Sequence, residues 1–262
     1  MLKSDRLNCI RSMLQQKNNV KVSELSELFD VSSVTIRDDL LRLESEGLAT
    51  RVHGGAVNSE YQRDQKIISD IVAAINVPYY KEQEYIGKLA ASMVEESEWV
   101  YIGSGTTCYY IAKELLNRKN INILTNNMYV VNILLANPYI NVIVCGGTLS
   151  HAYNCTSGDL FDASIGNMIF SKAFFTVGGV DFDSGITVSS EIEMEVLRTV
   201  KSQTNQLILV IDSSKFGKKS FMHAGDITLP ETIITDEDIA DEYLEYLIHN
   251  GVNVINELPG NR

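Results

Sequence analysis

From about residue 82 onward the sequence alternates two kinds of apolar spacing, and this alternation limits the fold more than any other feature. WVYIG, INILT, NVIVC, KAFFTVG, QLILVID and ETIIT are short, continuously apolar runs, with a final VNVI. Segments with helical spacing lie among them: EYIGKLAASMV, CYYIAKELL, MYVVNILLA, DLFDASIGNMIF, EIEMEVLRTVK and DIADEYLEYLIH. A strand apolar on both sides is covered on both faces, and a helix between strands supplies the crossover. The expectation is an α/β domain with a mostly parallel sheet.

The first 57 residues follow a different pattern. Leu7, Ile10 and Leu14 recur at helical spacing, as do Leu25, Leu28 and Phe29, then Ile36, Leu40 and Leu43. Asn18-Asn19 is expected to end the first helix, Ser23 to cap the second, and Ser32 or Ser33 to cap the third. Only Asp30-Val31-Ser32 separates the second from the third, and Gly47 supplies a glycine stop. LATRVHGGAV then reads as a strand pair around a glycine corner. Two helices joined by so short a turn, followed by a wing, predict an α+β winged helix-turn-helix. The expected division is residues 1–57 for this head, 58–80 for a connection containing the helix IISDIVAAINV, and 81–262 for the α/β body.

Charge separates the same two parts. The net charge of −12 alone argues against a polyanionic partner. Residues 1–57, however, hold 8 Lys+Arg against 8 Asp+Glu, whereas residues 58–262 hold 14 against 26. The acidity belongs to the body, leaving the head neutral. With 45% hydrophobic residues and 4 Pro, the 262-residue chain can bury a real core. The cysteines, Cys9, Cys108, Cys145 and Cys155, form no CxxC pair and are expected to be buried thiols in a reducing compartment. No apolar run is long enough to span a bilayer, and MLKSDRLNCIRSM is too charged for a signal peptide, so a cytoplasmic location and no membrane partner are expected.

A helix over residues 33–43 that buries Ile36, Leu40 and Leu43 turns Val34, Asp38 and Leu41 outward, flanked by Ser33, Arg37 and Arg42. These side chains suit a DNA groove: Arg grips guanine or phosphate, Val meets a thymine methyl, and Asp accepts from cytosine. An ordinary solvated helix face is the alternative. In the wing, Arg51 and His53 beside Gly54-Gly55 could reach phosphate or the minor groove. The run VSSVTIRDDLLRLESEGLATRVHGGA resembles the signature of the DeoR-type bacterial transcriptional regulators. The resemblance implies that Ser32, Ser33, Thr35, Arg37 and Arg42 lie at or near DNA. The family commonly carries an arginine where Asp38 stands, which implies an altered operator preference here.

In open parallel sheets, ligands bind beyond the strand ends. Here those ends carry Gly103-Ser104-Gly105-Thr106-Thr107, then Thr125-Asn126-Asn127, then Gly146-Gly147. Gly178-Gly179 with Asp181 follow, and last Asp212-Ser213-Ser214-Lys215. N–H groups and hydroxyls at a helix start form an anion site suited to phosphate. Singly, each glycine pair is as readily a tight turn. GSGTT, TNN, CGG, VGGVD, GIT, DSSKFGK and IITD come in the order of the DeoR sensor domain, a fold similar to ribose-5-phosphate isomerase and coenzyme A transferases. That resemblance implies phosphate contacts from Ser104, Gly105, Thr106 and Thr107, hydroxyl contacts near Asn126, Asn127, Gly147 and Asp181, and a charged contact from Lys215. Gly146 completes the expected set.

The expected function is a homo-oligomeric repressor of a sugar-catabolism operon, released from double-stranded operator DNA by a phosphorylated sugar. A transcriptional activator is one alternative. The other is an isomerase-like enzyme using Asp181, Glu193 or Lys215 as acid and base. His53, His151, His223 and His249 are scattered, so neither a metal site nor a cofactor is expected.

Overall fold

The computed structural model describes residues 2–62, 77 and 80–258. The chain divides into two compact units, Met1–Ala73 and Ala74–Arg262. Apart from Val77, the expected connecting helix IISDIVAAINV lies outside the described residues.

In the first unit, α1 (Lys3–Lys17), α2 (Val22–Phe29) and α3 (Ser33–Ser45) enclose a core of Ile10, Leu14, Leu25, Ile36, Leu40 and Leu43. Burying each of these side chains stabilises the head by about 1.5–3 kcal/mol. Val31, in the turn between α2 and α3, packs against that core. Helix α1 ends where Asn18 turns left-handed, and α3 ends just before Gly47, also at positive φ. The wing is the antiparallel pair β2 (Ala49–Val52) and β3 (Gly55–Asn58). A third strand, β1 (Asn19–Lys21), pairs with β3 and was not evident in the sequence.

Three expectations for the head need correction. Ser23 lies inside the first turn of α2, because Val22 N–H donates to Gly54 O of the wing (2.9 Å) and the helix starts directly from β1. Leu28 is exposed, since the core takes Leu25 and part of Phe29. Cys9 is exposed too, on the outer side of α1; the other three thiols are buried.

In the second unit, seven strands among the described residues form one parallel sheet of order β15-β14-β12-β9-β4-β5-β6. They are β4 (Trp99–Ile102), β5 (Ile121–Thr125), β6 (Ile140–Val144), β9 (Lys172–Phe175), β12 (Leu207–Val210), β14 (Thr232–Ile234) and β15 (Asn253–Ile255). The α/β class expected from the alternation is observed. Helices α4 (Lys81–Ser92), α5 (Thr106–Glu114), α6 (Met128–Leu134), α7 (Asp159–Ile165), α8 (Glu191–Ser202) and α9 (Asp241–His249) accompany the strands. One core joins Tyr101, Phe161, Phe175, Leu197 and Leu209. Strand order runs outward in both directions from the β4/β9 boundary. That reversal opens a crevice beyond the strand ends.

Two smaller sheets were not anticipated. A hairpin, β7 (Thr148–Ser150) with β8 (Cys155–Ser157), follows β6. An antiparallel sheet joins β10 (Gly179–Asp181), β11 (Gly185–Val188) and β13 (Met222–Gly225). Helix α7 is also shorter than DLFDASIGNMIF suggests: it stops before Gly166, and Phe170 forms a bridge with Thr204.

Candidate nucleic-acid face and candidate ligand site

Helix α3 is fixed at its start by Ser32, whose Oγ accepts from Thr35 N–H (3.2 Å) and lies 3.0 Å from the Thr35 hydroxyl. Burial of Ile36, Leu40 and Leu43 then turns Ser33, Val34, Arg37, Asp38, Leu41 and Arg42 to solvent. Val34 is 70% exposed, far from the core of its own unit.

Most cations near this face already have partners. Arg42 pairs with Glu46 (3.2 Å), which also takes Arg11 (3.0 Å). Arg51 donates from Nε (2.7 Å) and from its backbone N–H (3.1 Å) to Glu44. Those bonds, the backbone one foremost, hold the Glu44 carboxyl below its ordinary value. Asp38 meets Lys3 of α1 at 3.1 Å. Arg37 has no ion pair among the described residues. His53 is exposed at the wing tip beside Gly54.

Sequence reasoning missed the contact that sets α3 in place. Arg6 of α1 reaches Asp39 through two hydrogen bonds, both groups buried. The bond to Asp39 raises the guanidinium's pKa further above its already high value. The available signal was a carboxylate three residues after Ile36 on the apolar stripe.

In the body, the loop after β4 lies at the crevice. Gly103 N–H donates to Phe174 O (2.9 Å), which ties the loop to the end of β9. Gly105 precedes α5 with φ +96°, and a Cβ there would lie 2.5 Å from Thr176 Cγ2. The N–H groups of Ser104, Gly105, Thr106 and Thr107 have no acceptor among the described residues. Neither do the hydroxyls of Ser104, Thr106 and Thr107 have a partner there. Four donors at a helix start, with three hydroxyls beside them, form a cradle for an anion.

Asn126 and Asn127 are fully buried, and their amides are engaged within the fold. Asn127 donates to Gly103 O (2.9 Å) and Gly105 O (3.1 Å) and accepts from Tyr129 N–H, which fixes the shape of the cradle. Asn126 accepts from the Tyr101 hydroxyl (2.7 Å) and donates to Thr156 O (2.7 Å), holding the β7–β8 hairpin. Gly147, at φ +133°, packs where a Cβ would meet Ser157 O at 2.5 Å, whereas Gly146 has open space. Thus these residues hold the loops after β4, β5 and β6 in place.

Lys215 lies in a short 3-10 turn after β12, half-buried and without a carboxylate partner among the described residues. Only β9 separates β12 from β4, so the two strand ends are about 10 Å apart, within reach of a lysine. Asp181 is committed to its own hairpin. It accepts from Asp183 and Ser184 N–H (3.0 Å each) and pairs with Lys219 (3.0 Å), whose ammonium is the main cause of its lowered pKa. Glu193 accepts from Ser189 N–H (2.7 Å) at the start of α8. His223 packs its Nδ1 2.9 Å from Ser184 O, and His151 is exposed in the β7–β8 turn. Among the described residues no His/Cys/carboxylate group could hold a metal, and no helix is long and apolar enough to cross a membrane.

A winged head carried with a parallel α/β body, one with an outward-facing helix and the other with an anion cradle, defines the class of two-unit, ligand-responsive DNA-binding proteins. The comparisons narrow the class. Residues 6–62 match the DeoR-like helix-turn-helix domain and residues 79–237 the DeoR C terminal sensor domain. The chain belongs to the DeoR family of transcriptional regulators. It is 32% identical over 254 residues to a protein of Escherichia coli O157:H7 named as an aga operon transcriptional repressor, covering 96% of this chain and 93% of that one. It is 30% identical over 242 residues to a lactose phosphotransferase system repressor of Staphylococcus epidermidis, covering 91% and 94%. Among solved structures, the sorbitol operon regulator SorC of Klebsiella pneumoniae aligns with TM-score 0.41 and 10% identity over 92% of this chain and 97% of that one. Ribose 5 phosphate isomerase A of Neisseria gonorrhoeae aligns with TM-score 0.38 and 14% identity over 51% and 52%.

Proposed function

We propose that this chain represses a sugar-catabolism operon and is released from its operator by a phosphorylated sugar. The observation that carries the effector half is the cradle at Ser104–Thr107: N–H groups and hydroxyls without a partner among the described residues, at the sheet's switch point, with Lys215 two strands away. Asn126, Asn127 and Gly147 shape this site; the exposed Gly146 borders it, and Asp181 steadies the neighbouring turn. The operator half rests on the outward face of α3, where Ser33, Val34, Arg37, Asp38 and Arg42 meet bases or phosphates. Ser32 caps that helix by accepting from Thr35 N–H, and Arg51 and His53 of the wing flank the duplex.

The chain acts as a homo-oligomer, because operators mirror a protein's two-fold symmetry. Sugar-phosphate binding shifts the population toward a state with weaker operator affinity, and by linkage operator DNA weakens sugar-phosphate binding equally. An isomerase-like enzyme fits less well, since Asp181 and Glu193 are held by backbone N–H groups of their own turns. A melting-temperature screen tests the effector half, because a ligand of the folded state raises that temperature. Phosphorylated pentoses and hexoses are compared with the same sugars lacking phosphate. A shift confined to phosphorylated compounds, without turnover, supports the proposal; turnover, or no shift with any of them, refutes it.

A further inference from the structure

Strand β6 is an edge of the body's sheet: β5 pairs with one side, and no strand among the described residues pairs with the other. Cys145 N–H donates to Thr125 O (2.8 Å). Backbone groups of successive strand residues point in opposite directions, so the N–H and C=O of Val142 and Val144 face outward. Free edges are commonly guarded by lysine, proline or a bulge. Ile140–Val144 reads INVIV and carries none of these.

The surroundings share that character. Residues 120–158 contain no Asp, Glu, Lys or Arg, although residues 58–262 hold 14 cationic and 26 anionic side chains. Leu135, Tyr139, Val144 and Leu149 are exposed within this stretch. The opposite edge, β15, instead runs into Glu257.

The structure assigns the β6 edge to a second copy of this chain. Two bodies of like negative charge repel one another over most approaches, and here they meet without a carboxylate on either side. A basic partner would find no acid in this stretch, and a polyanion would find only the Lys119 ammonium, 4.5 Å from the centre of the Tyr139 ring at the start of the strand. Antiparallel pairing of β6 with its own copy is self-complementary about a two-fold axis: outward donors of each strand meet outward acceptors of the other. The two sheets then continue as one, with Leu135, Tyr139 and Leu149 beside the seam. This inference rests on the homo-oligomer proposed above and names its surface.

The test is sedimentation velocity of the full chain and its Val144→Lys variant over a range of concentrations. A buried like-charge pair at the seam is expected to raise the dimer dissociation constant about 100-fold, while the melting temperature measured under dilute, monomeric conditions stays that of the parent. A folded variant that dimerises as well as the parent, or a parent that stays monomeric throughout, overturns the assignment. If the variant does not fold, amide exchange of the parent at low and high concentration decides. Slower exchange over residues 139–145 on concentration supports pairing there; unchanged exchange in a dimeric sample overturns it. Binding to a duplex carrying one half-site is measured in parallel, so that a failure of edge pairing is told apart from a failure of DNA reading.

Discussion

Arg6 and Asp39 face each other across the α1–α3 interface, Nε to Oδ2 at 2.5 Å and Nη2 to Oδ1 at 3.2 Å, Asp39 fully buried and Arg6 nearly so. The bidentate geometry sets the rotation of α3 and so decides which of its side chains point outward. Removing one partner strands a buried charge. Arg6→Ala is therefore expected to destabilise the head by about 3–5 kcal/mol, and the Arg6→Met/Asp39→Leu pair by much less. Denaturant unfolding of the full chain, followed by a probe in the head, measures both. Equal losses in the single and double variants would remove the ion pair from this account.

Arg37 and Asp38 are adjacent on the face of α3 and pull DNA affinity in opposite directions. Loss of a phosphate-binding cation lowers the salt slope of binding by about 1, which is the expectation for Arg37→Ala. Asp38→Ala should bind nonspecific duplex more tightly, since it removes a carboxylate from the groove face. Its ion pair with Lys3 is exposed, so stability should change by no more than about 1 kcal/mol. Titrations at several salt concentrations check both; an unchanged slope for Arg37→Ala would place that side chain away from the backbone of the duplex.

Gly105 tests the cradle. Its positive φ and the 2.5 Å approach of an added Cβ to Thr176 mean that Gly105→Ala must move the loop. The variant is expected to lose the melting-temperature shift given by phosphorylated sugars while keeping operator binding. Retention of the full shift would place the anion elsewhere.

The cysteines should react very unequally. Burial pushes the Cys108 thiol up to about 12, and Cys145 and Cys155 up to about 11, whereas Cys9 is exposed. At pH 8, an alkylating reagent should label Cys9 alone until the chain unfolds, as mass spectrometry would show. The sign for stability follows: the three thiols ionise more readily unfolded, so their contribution is complete below pH 9. It declines as pH rises from there toward 11–12. Labelling of Cys108 in the native chain would contradict its burial.

Much of the architecture was legible because it is written in local periodicity. The apolar runs of β4, β5, β6, β9, β12 and β14 require a two-sided sheet, and the Ile36, Leu40 and Leu43 stripe alone orients α3. What escaped depends on contacts distant in sequence. Three residues of β1 become a strand only by meeting β3, and β13 only by meeting β11, more than thirty residues earlier; β10 and β11 form a local hairpin, but each is too short and too glycine-rich to show an apolar alternation. Leu28 has core-like spacing but no neighbour left to cover it. At the ligand site, the GSGTT loop was recognisable from its place between strand and helix. The roles of Asn126 and Asn127 were not, since nothing in TNN distinguishes an amide that meets a ligand from one bonded to Gly103, Gly105 and Thr156.

The central claim is that occupancy of the cradle alters the head's grip on DNA. Its most direct measurement is the affinity of the full chain for a duplex selected from a random pool, titrated with phosphorylated sugars at fixed salt. The account predicts one preferred sequence and a loss of affinity of about 5–150-fold with at least one phosphorylated sugar. The same sugar without its phosphate should have no effect. Affinity indifferent to every phosphorylated sugar, or a pool from which no sequence is enriched, would contradict it.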